Sequence, residues 1–160
     1  MVGSIILRKV GMLIIAAGLI AATGVVASTP ASAVTYYRIL NYSSGDCIQQ
    51  SGSGAASYAC SASSSQYWAL QATTQSGYYK LVNKASGKCI GYVSNFDGVS
   101  VSACTQGAND QKWKEQPTTQ LGYDKLVNLG SGECIDDYAN GAVITLACAQ
   151  GDGEQYWELI

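Results

Sequence analysis

From Val34 onward no stretch of the chain keeps a helical period. Short segments of alternating apolar and polar residues are separated instead by Gly, Ser and Asn. That pattern predicts half-buried strands joined by tight turns. It also recurs. Tyr36-Tyr37-Arg38-Ile39-Leu40-Asn41 returns as Tyr78-Tyr79-Lys80-Leu81-Val82-Asn83 and again as Tyr123-Asp124-Lys125-Leu126-Val127-Asn128. Six residues after each Asn stands a cysteine in a Ser-Gly-x-Cys-Ile phrase, over 44–48, 86–90 and 131–135. A second cysteine follows after 13, 15 or 14 residues, and then Gln-x-Trp at Gln66/Trp68, Gln111/Trp113 and Gln155/Trp157.

Each copy reads as four short strands, about 123–128, 134–137, 143–147 and 156–159 in the third. Asn140-Gly141 between the two middle strands is a strong hairpin-turn signal, and Asp97-Gly98 holds the same place in the second copy. The fold class is therefore all-β, with repeats at about 36–77, 78–122 and 123–160. Three copies are too few to close a propeller, which takes about four to eight blades. Twelve strands in a threefold closed barrel capped by hairpins leave no free edge, which predicts a β-trefoil. Ile39, Leu81, Leu126 and the three Trp are expected to meet on the common axis, because no single copy could bury that face alone.

Ahead of the repeats the pattern is different. Arg8 and Lys9 precede an almost unbroken apolar run from Val10 to Ala27, and Ala31-Ser32-Ala33 follows. Two readings stand: a secretory signal peptide over 1–33, or an uncleaved anchor near the lower length limit for a membrane span. The A-x-A site favours cleavage, which makes 34–160 the mature domain and the protein secreted and free of the membrane.

Composition narrows the chemistry. Only 12% of residues are charged, and there is no histidine. That removes the commonest general base and zinc ligand. The mature part carries seven basic and eleven acidic side chains, a net charge of −4 with no basic patch, so nucleic acid is not an expected partner. Six cysteines allow 15 pairings, but the repeat selects one pair per copy: Cys47–Cys60, Cys89–Cys104 and Cys134–Cys148. Export supplies the oxidising compartment. No C-x-x-C or metal cluster is visible, so neither a metal nor a cofactor is expected.

Two cysteines plus Gln-x-Trp, three times over, resembles the ricin-B-type lectins and related sugar-binding modules of secreted hydrolases, across essentially the whole mature chain. The resemblance implies a β-trefoil that binds carbohydrate. It implies sugar contacts from an Asp two residues after the first cysteine, an aromatic two before the second, an Asn or His before the Gln, and that Gln. A carboxylate there accepts hydrogen bonds from two neighbouring hydroxyls. The first copy offers Gln49, Tyr58, Ser65 and Gln66. The second has Gly91, Ser102 and Asp110, lacking both carboxylate and ring. The third has Asp136 and Gln155, with Leu146 in place of the ring and Glu154 in place of the Asn.

Side chains alternate along a strand, so Tyr138 shares a face with Asp136 and can replace the missing ring, while Asn140 adds a hydrogen bond. The expected order of sites is third, first, second. Asp136 has a rival role as a tether for its own loop. Asp137 points to the opposite face from Asp136, so the two cannot act as a glycosidase pair, and no catalytic residue is expected. The leading reading is a secreted protein binding glycans that contain galactose or xylose. The other is a trefoil scaffold that binds another protein and has lost its sugar sites. Tyr42, Tyr92 and Phe96 are the rings expected at the surface.

Overall fold

The computed structural model describes residues 33–94 and 98–160. The expected signal segment, except Ala33, lies outside the described residues, as do Phe96 and Asp97. Ala33–Ile160 forms one compact unit.

Twelve strands follow in chain order: β1 Ile39–Asn41, β2 Asp46–Ser51, β3 Gly54–Ala59, β4 Trp68–Ala72, β5 Tyr79–Asn83, β6 Cys89–Tyr92, β7 Val99–Ser102, β8 Trp113–Pro117, β9 Asp124–Asn128, β10 Cys134–Tyr138, β11 Ala142–Leu146 and β12 Trp157–Leu159. The structure bears out the β-trefoil. Antiparallel pairs link β4 to β5, β5 to β8, β8 to β9, β9 to β12 and β12 to β1. The Tyr37–Trp68 bridge closes the ring from β1 to β4, with Tyr37 N donating to Trp68 O at 2.9 Å and Trp68 N to Tyr37 O at 2.8 Å. The hairpins β2–β3, β6–β7 and β10–β11 cap the barrel. They touch one another through Ala142–Ala56 and Gly54–Ser100.

The core repeats with the sequence. Ile39, Leu81 and Leu126 pack with Ile48, Ile90, Ile135 and the three Trp, all at most 2% exposed. Each indole donates to the carbonyl of the isoleucine after its repeat's first cysteine: Trp68 Nε1 to Ile48 O at 3.0 Å, Trp113 Nε1 to Ile90 O at 3.1 Å and Trp157 Nε1 to Ile135 O at 3.0 Å. A buried polar handle must find a partner, and here it ties the cap hairpin to the barrel. Asn41, Asn83 and Asn128 are equally buried. Each Oδ1 accepts two turn amides (Ser43 and Ser44 N in the first case). Their Nδ2 atoms reach the turn before a Gln-x-Trp: Asn41 to Glu154 O, Asn83 to Ser65 O and Asn128 to Asp110 O. These contacts tie each repeat to its neighbour, as expected of units that bury their apolar faces only together.

The cysteines pair as Cys47–Cys60, Cys89–Cys104 and Cys134–Cys148, with Cα atoms 5.0, 5.0 and 5.1 Å apart. A loop of 15 residues closed in the unfolded state is worth about 3 kcal/mol. The double variant Cys89→Ala/Cys104→Ala is therefore expected to lose about 3 kcal/mol in a denaturant titration. A loss below about 1 kcal/mol would show that this staple restrains little.

One local expectation holds and another shifts. Asn140 and Gly141 form the β10–β11 hairpin turn, both at positive φ, 63° and 76°. A Cβ on Gly141 would stand 2.8 Å from Ser57 O, so the glycine also permits docking against β3. Tyr92 is not a surface ring: it packs against the core from the end of β6, whereas Tyr42 is half-exposed.

Candidate functional site

The Gln of each Gln-x-Trp is at most 3% exposed, which buries it under the loop that follows the second cysteine. Gln155 Oε1 accepts from Ala149 N at 2.9 Å, and Nε2 donates to Ala147 O at 3.1 Å. Gln66 and Gln111 make the same loop bonds, to Ser61 N and Ala59 O and to Thr105 N and Ala103 O. These glutamines fold the loop first. In the first and third repeats the remaining N–H reaches the position two residues after the first cysteine, whereas Gln111 Nε2 donates to Ser102 Oγ at 3.0 Å.

In the third repeat that position is Asp136, on β10 and 1% exposed. Its Oδ2 accepts from Gln155 Nε2 at 3.1 Å, and among the described residues its Oδ1 has no hydrogen-bond partner. Burial, opposed by the Gln155 bond and reinforced by Asp152, Glu154 and Asp137, pushes its carboxyl up to about 6. A tether would show a well-satisfied carboxylate, and Asp137 does. It takes hydrogen bonds from Ser44 Oγ and Ser57 Oγ of the first repeat, on the other face of β10. Asp136 is held by one bond and left short of another.

Two further carboxylates approach it. One carboxylate oxygen each from Asp136, Asp152 and Glu154 lie within 4.8 Å of one another. Asp152 Oδ1 also accepts from Glu154 N at 3.1 Å and so shapes the turn Gly153–Gln155. Tyr42 lies against the same turn: a Cβ on Gly153 would stand 3.0 Å from its ring. At the far end of β10, Tyr138 is 52% exposed, and Asn140 is exposed beside it in the turn.

Asp152 was missed at the level of sequence, although a signal existed. The positions three and one before the Gln are Ser63 and Ser65 in the first repeat and Ala108 and Asp110 in the second. Only the third puts two acids there, in a chain with few charges.

The other two repeats place the predicted residues differently. In the first, Gln49 Oε1 accepts from Gln66 Nε2 at 3.2 Å, a neutral copy of the Gln155–Asp136 bond, and Tyr58 is 48% exposed on β3. In the second, a Cβ on Gly91 would stand 2.9 Å from Ser100 Oγ and 3.3 Å from Gln111 Cγ. Neighbouring side chains have closed over that position. A separate cleft of about 330 Å³ beside Lys80 and Lys112 contains none of the predicted sugar-contact residues.

A model of the ricin-type beta-trefoil lectin domain-like family matches residues 26–102 and 64–147. The chain belongs to that family. No curated protein matches it. Among solved structures it is similar to ThreeFoil, a designed threefold symmetric protein, at 28% identity and a TM-score of 0.69 over 78% of this chain and 97% of that one. It is also similar to SeviL bound to asialo-GM1 saccharide, at 18% identity and a TM-score of 0.68 over 80% of this chain and 98% of that one. An exo-beta-1,3-galactanase from Clostridium thermocellum matches at 24% identity and a TM-score of 0.68, over 83% of this chain but 31% of the enzyme. The last two likenesses speak to the fold. As a member of this family, the chain carries a carbohydrate-binding fold.

Proposed function

We propose that the chain is a secreted lectin whose working sugar site lies in the third repeat and is lined by Asp136, Tyr138, Asn140 and Glu154, with Gln155 holding Asp136. The observation that carries this reading is the Asp136 carboxylate: buried, bonded once, and with Oδ1 unpartnered. A buried carboxylate short of hydrogen bonds disfavours folding, so its place is better explained by a ligand than by stability. Sugar hydroxyls are donors suited to that oxygen, and the exposed Tyr138 ring offers a face for C–H groups. The first repeat, with Gln49, Tyr58 and Gln66, is a weaker second site. Glycans containing galactose or xylose remain the expected ligands.

Binding rather than catalysis fits the carboxylates. Glycosidases set two of them about 5–9.5 Å apart across the scissile bond. Here Asp136 and Asp137 diverge, and the Asp136–Asp152–Glu154 oxygens crowd within 4.8 Å. Three disulfides suit an oxidising, extracellular location.

The test is a glycan array with a xylan pull-down. Tyr138→Ala is expected to weaken retention about tenfold while moving the melting temperature by less than about 1 °C, because the ring is half in solvent. Silence of the folded wild-type protein on both assays would defeat the lectin reading. The protein-binding scaffold is favoured at one place, the closed second repeat around Gly91. Millimolar simple sugar separates the two, since it competes with a glycan and not with a protein interface.

A further inference from the structure

We propose that the third repeat binds one calcium ion through Asp136, Asp152 and Glu154, and that this ion, rather than the bare carboxylate, receives the sugar hydroxyls. The second clause rests on the lectin reading above; the first does not.

Three observations converge. The donor set is three carboxylates whose oxygens lie within 4.8 Å of one another. Calcium takes six to eight oxygen ligands at about 2.3–2.6 Å, so two of its ligands stand at most about 5 Å apart. The trio therefore fits one coordination sphere. Next, the one buried member offers an unpartnered oxygen: Asp136 is 1% exposed, and its Oδ1 has no hydrogen-bond partner among the described residues. Gln155 Nε2 occupies only Oδ2, which orients the carboxylate and leaves Oδ1 for a cation. Finally, the other charged groups around Asp136 are acidic. Asp152 and Glu154 stand beside it, and its chain neighbour Asp137 is itself engaged by Ser44 and Ser57. A divalent cation among Asp136, Asp152 and Glu154 turns mutual repulsion into attraction.

The repeats supply an internal control. The corresponding three positions are Gln49, Ser63 and Ser65 in the first copy and Gly91, Ala108 and Asp110 in the second. The same glutamine-to-loop hydrogen bonds thus form with none of the three acids in the first copy and one in the second, so the full trio is not needed to build the loop. Glu154 is exposed and Asp152 partly so. Three protein ligands leave coordination positions open on the solvent side. Two adjacent hydroxyls of a sugar are oxygen ligands of the right spacing for such positions, with Tyr138 and Asn140 along the strand to fix the ring.

Calcium chloride is titrated alone into chelator-treated protein by calorimetry. One site is expected, with a dissociation constant on the order of 10⁻⁴–10⁻³ M as in other extracellular modules. The melting temperature should rise by about 5–10 °C in 10 mM calcium. Asp152→Asn keeps the oxygen that accepts from Glu154 N, so the turn is preserved, and Glu154→Gln lies at the surface. Each should lower calcium affinity at least about tenfold with the metal-free melting temperature unchanged or raised, since each removes a like charge beside Asp136. Magnesium, which demands a tighter octahedral shell, should bind more weakly. Glycan retention is then compared in calcium and in chelator, and a loss of about tenfold or more in chelator is expected. No heat, no thermal shift, or a shift that survives Asp152→Asn would overturn the calcium site. Retention indifferent to chelator would overturn the ion's role toward sugar. No retention even in calcium would overturn the lectin reading instead, with the metal titration unaffected.

Discussion

Truncating Trp113 to alanine is expected to cost about 5 kcal/mol, enough to leave the protein largely unfolded at 37 °C if its stability is ordinary. Two losses combine. The indole is fully buried in the central cluster that also holds Leu81, Ile90 and Leu126, and removing a large aromatic from a core costs about 3–5 kcal/mol. Trp113 Nε1 also satisfies the Ile90 carbonyl at 3.1 Å, and a buried acceptor left alone costs a further 1–3 kcal/mol or so. Trp113→Phe separates the terms. It keeps most of the apolar ring and loses the N–H, so a loss of about 2 kcal/mol is expected. Urea titrations with the disulfides intact measure both. A loss under about 1 kcal/mol for the alanine variant would mean that this ring is a surface platform for sugar and that the threefold core is wrongly drawn.

Asp136→Asn is expected to abolish glycan binding and yet make the protein more stable. In protein stripped of divalent ions, burial and three acidic neighbours raise the Asp136 carboxyl from 3.8 to about 6. The folded state then holds this proton more tightly than the unfolded chain does, so stability falls as pH rises from about 4 to about 6 and stays reduced above that. The difference is worth about 2–3 kcal/mol at pH 7. Asparagine keeps an oxygen for Gln155 Nε2 and carries no charge, so it recovers that amount at pH 7. The gain should shrink towards zero at pH 4, where the wild-type carboxyl is already protonated. Thermal melts at the two pH values provide the check, with glycan retention beside them. A destabilised Asp136→Asn at pH 7 would return the residue to the role of loop tether. Asp137 provides the contrast, because Ser44 and Ser57 of the first repeat depend on it. Adjacent acids thus behave oppositely, one joining repeats and the other left with an unpartnered oxygen.

The difference between those two acids shows where sequence reading stops. Strand alternation places them on opposite faces, and the structure agrees. Which face carries serines from another repeat and which a half-satisfied glutamine is not a property of β10. The turns behave likewise. Asn140-Gly141 announces its positive φ because few other residues accept it. The docking of Gly141 against Ser57 depends on a strand more than 80 residues away. Gln155 was legible as a motif residue, but not its division of labour, with three hydrogen bonds shared between loop and Asp136. Tyr92 was misplaced because a ring at a strand end is as able to fold onto the core as to face water.

Sequence alone determined the threefold plan: the repeat length, the cysteine pairs, the Trp and Ile core and therefore the trefoil. These follow from local rules applied three times, in which spacing dictates strands and turns and only mutual packing can bury the apolar face. The full burial of Asp136, the closed position at Gly91 and the gathering of Asp136, Asp152 and Glu154 were decided by tertiary structure. Asp152 and Glu154 lie 16 and 18 residues beyond Asp136, on a loop whose path is set by the buried Gln155. Periodicity fixes which way a strand residue points. It carries no information about which loop side chains will be folded over it, because that depends on hydrogen bonds closed across the chain rather than along it.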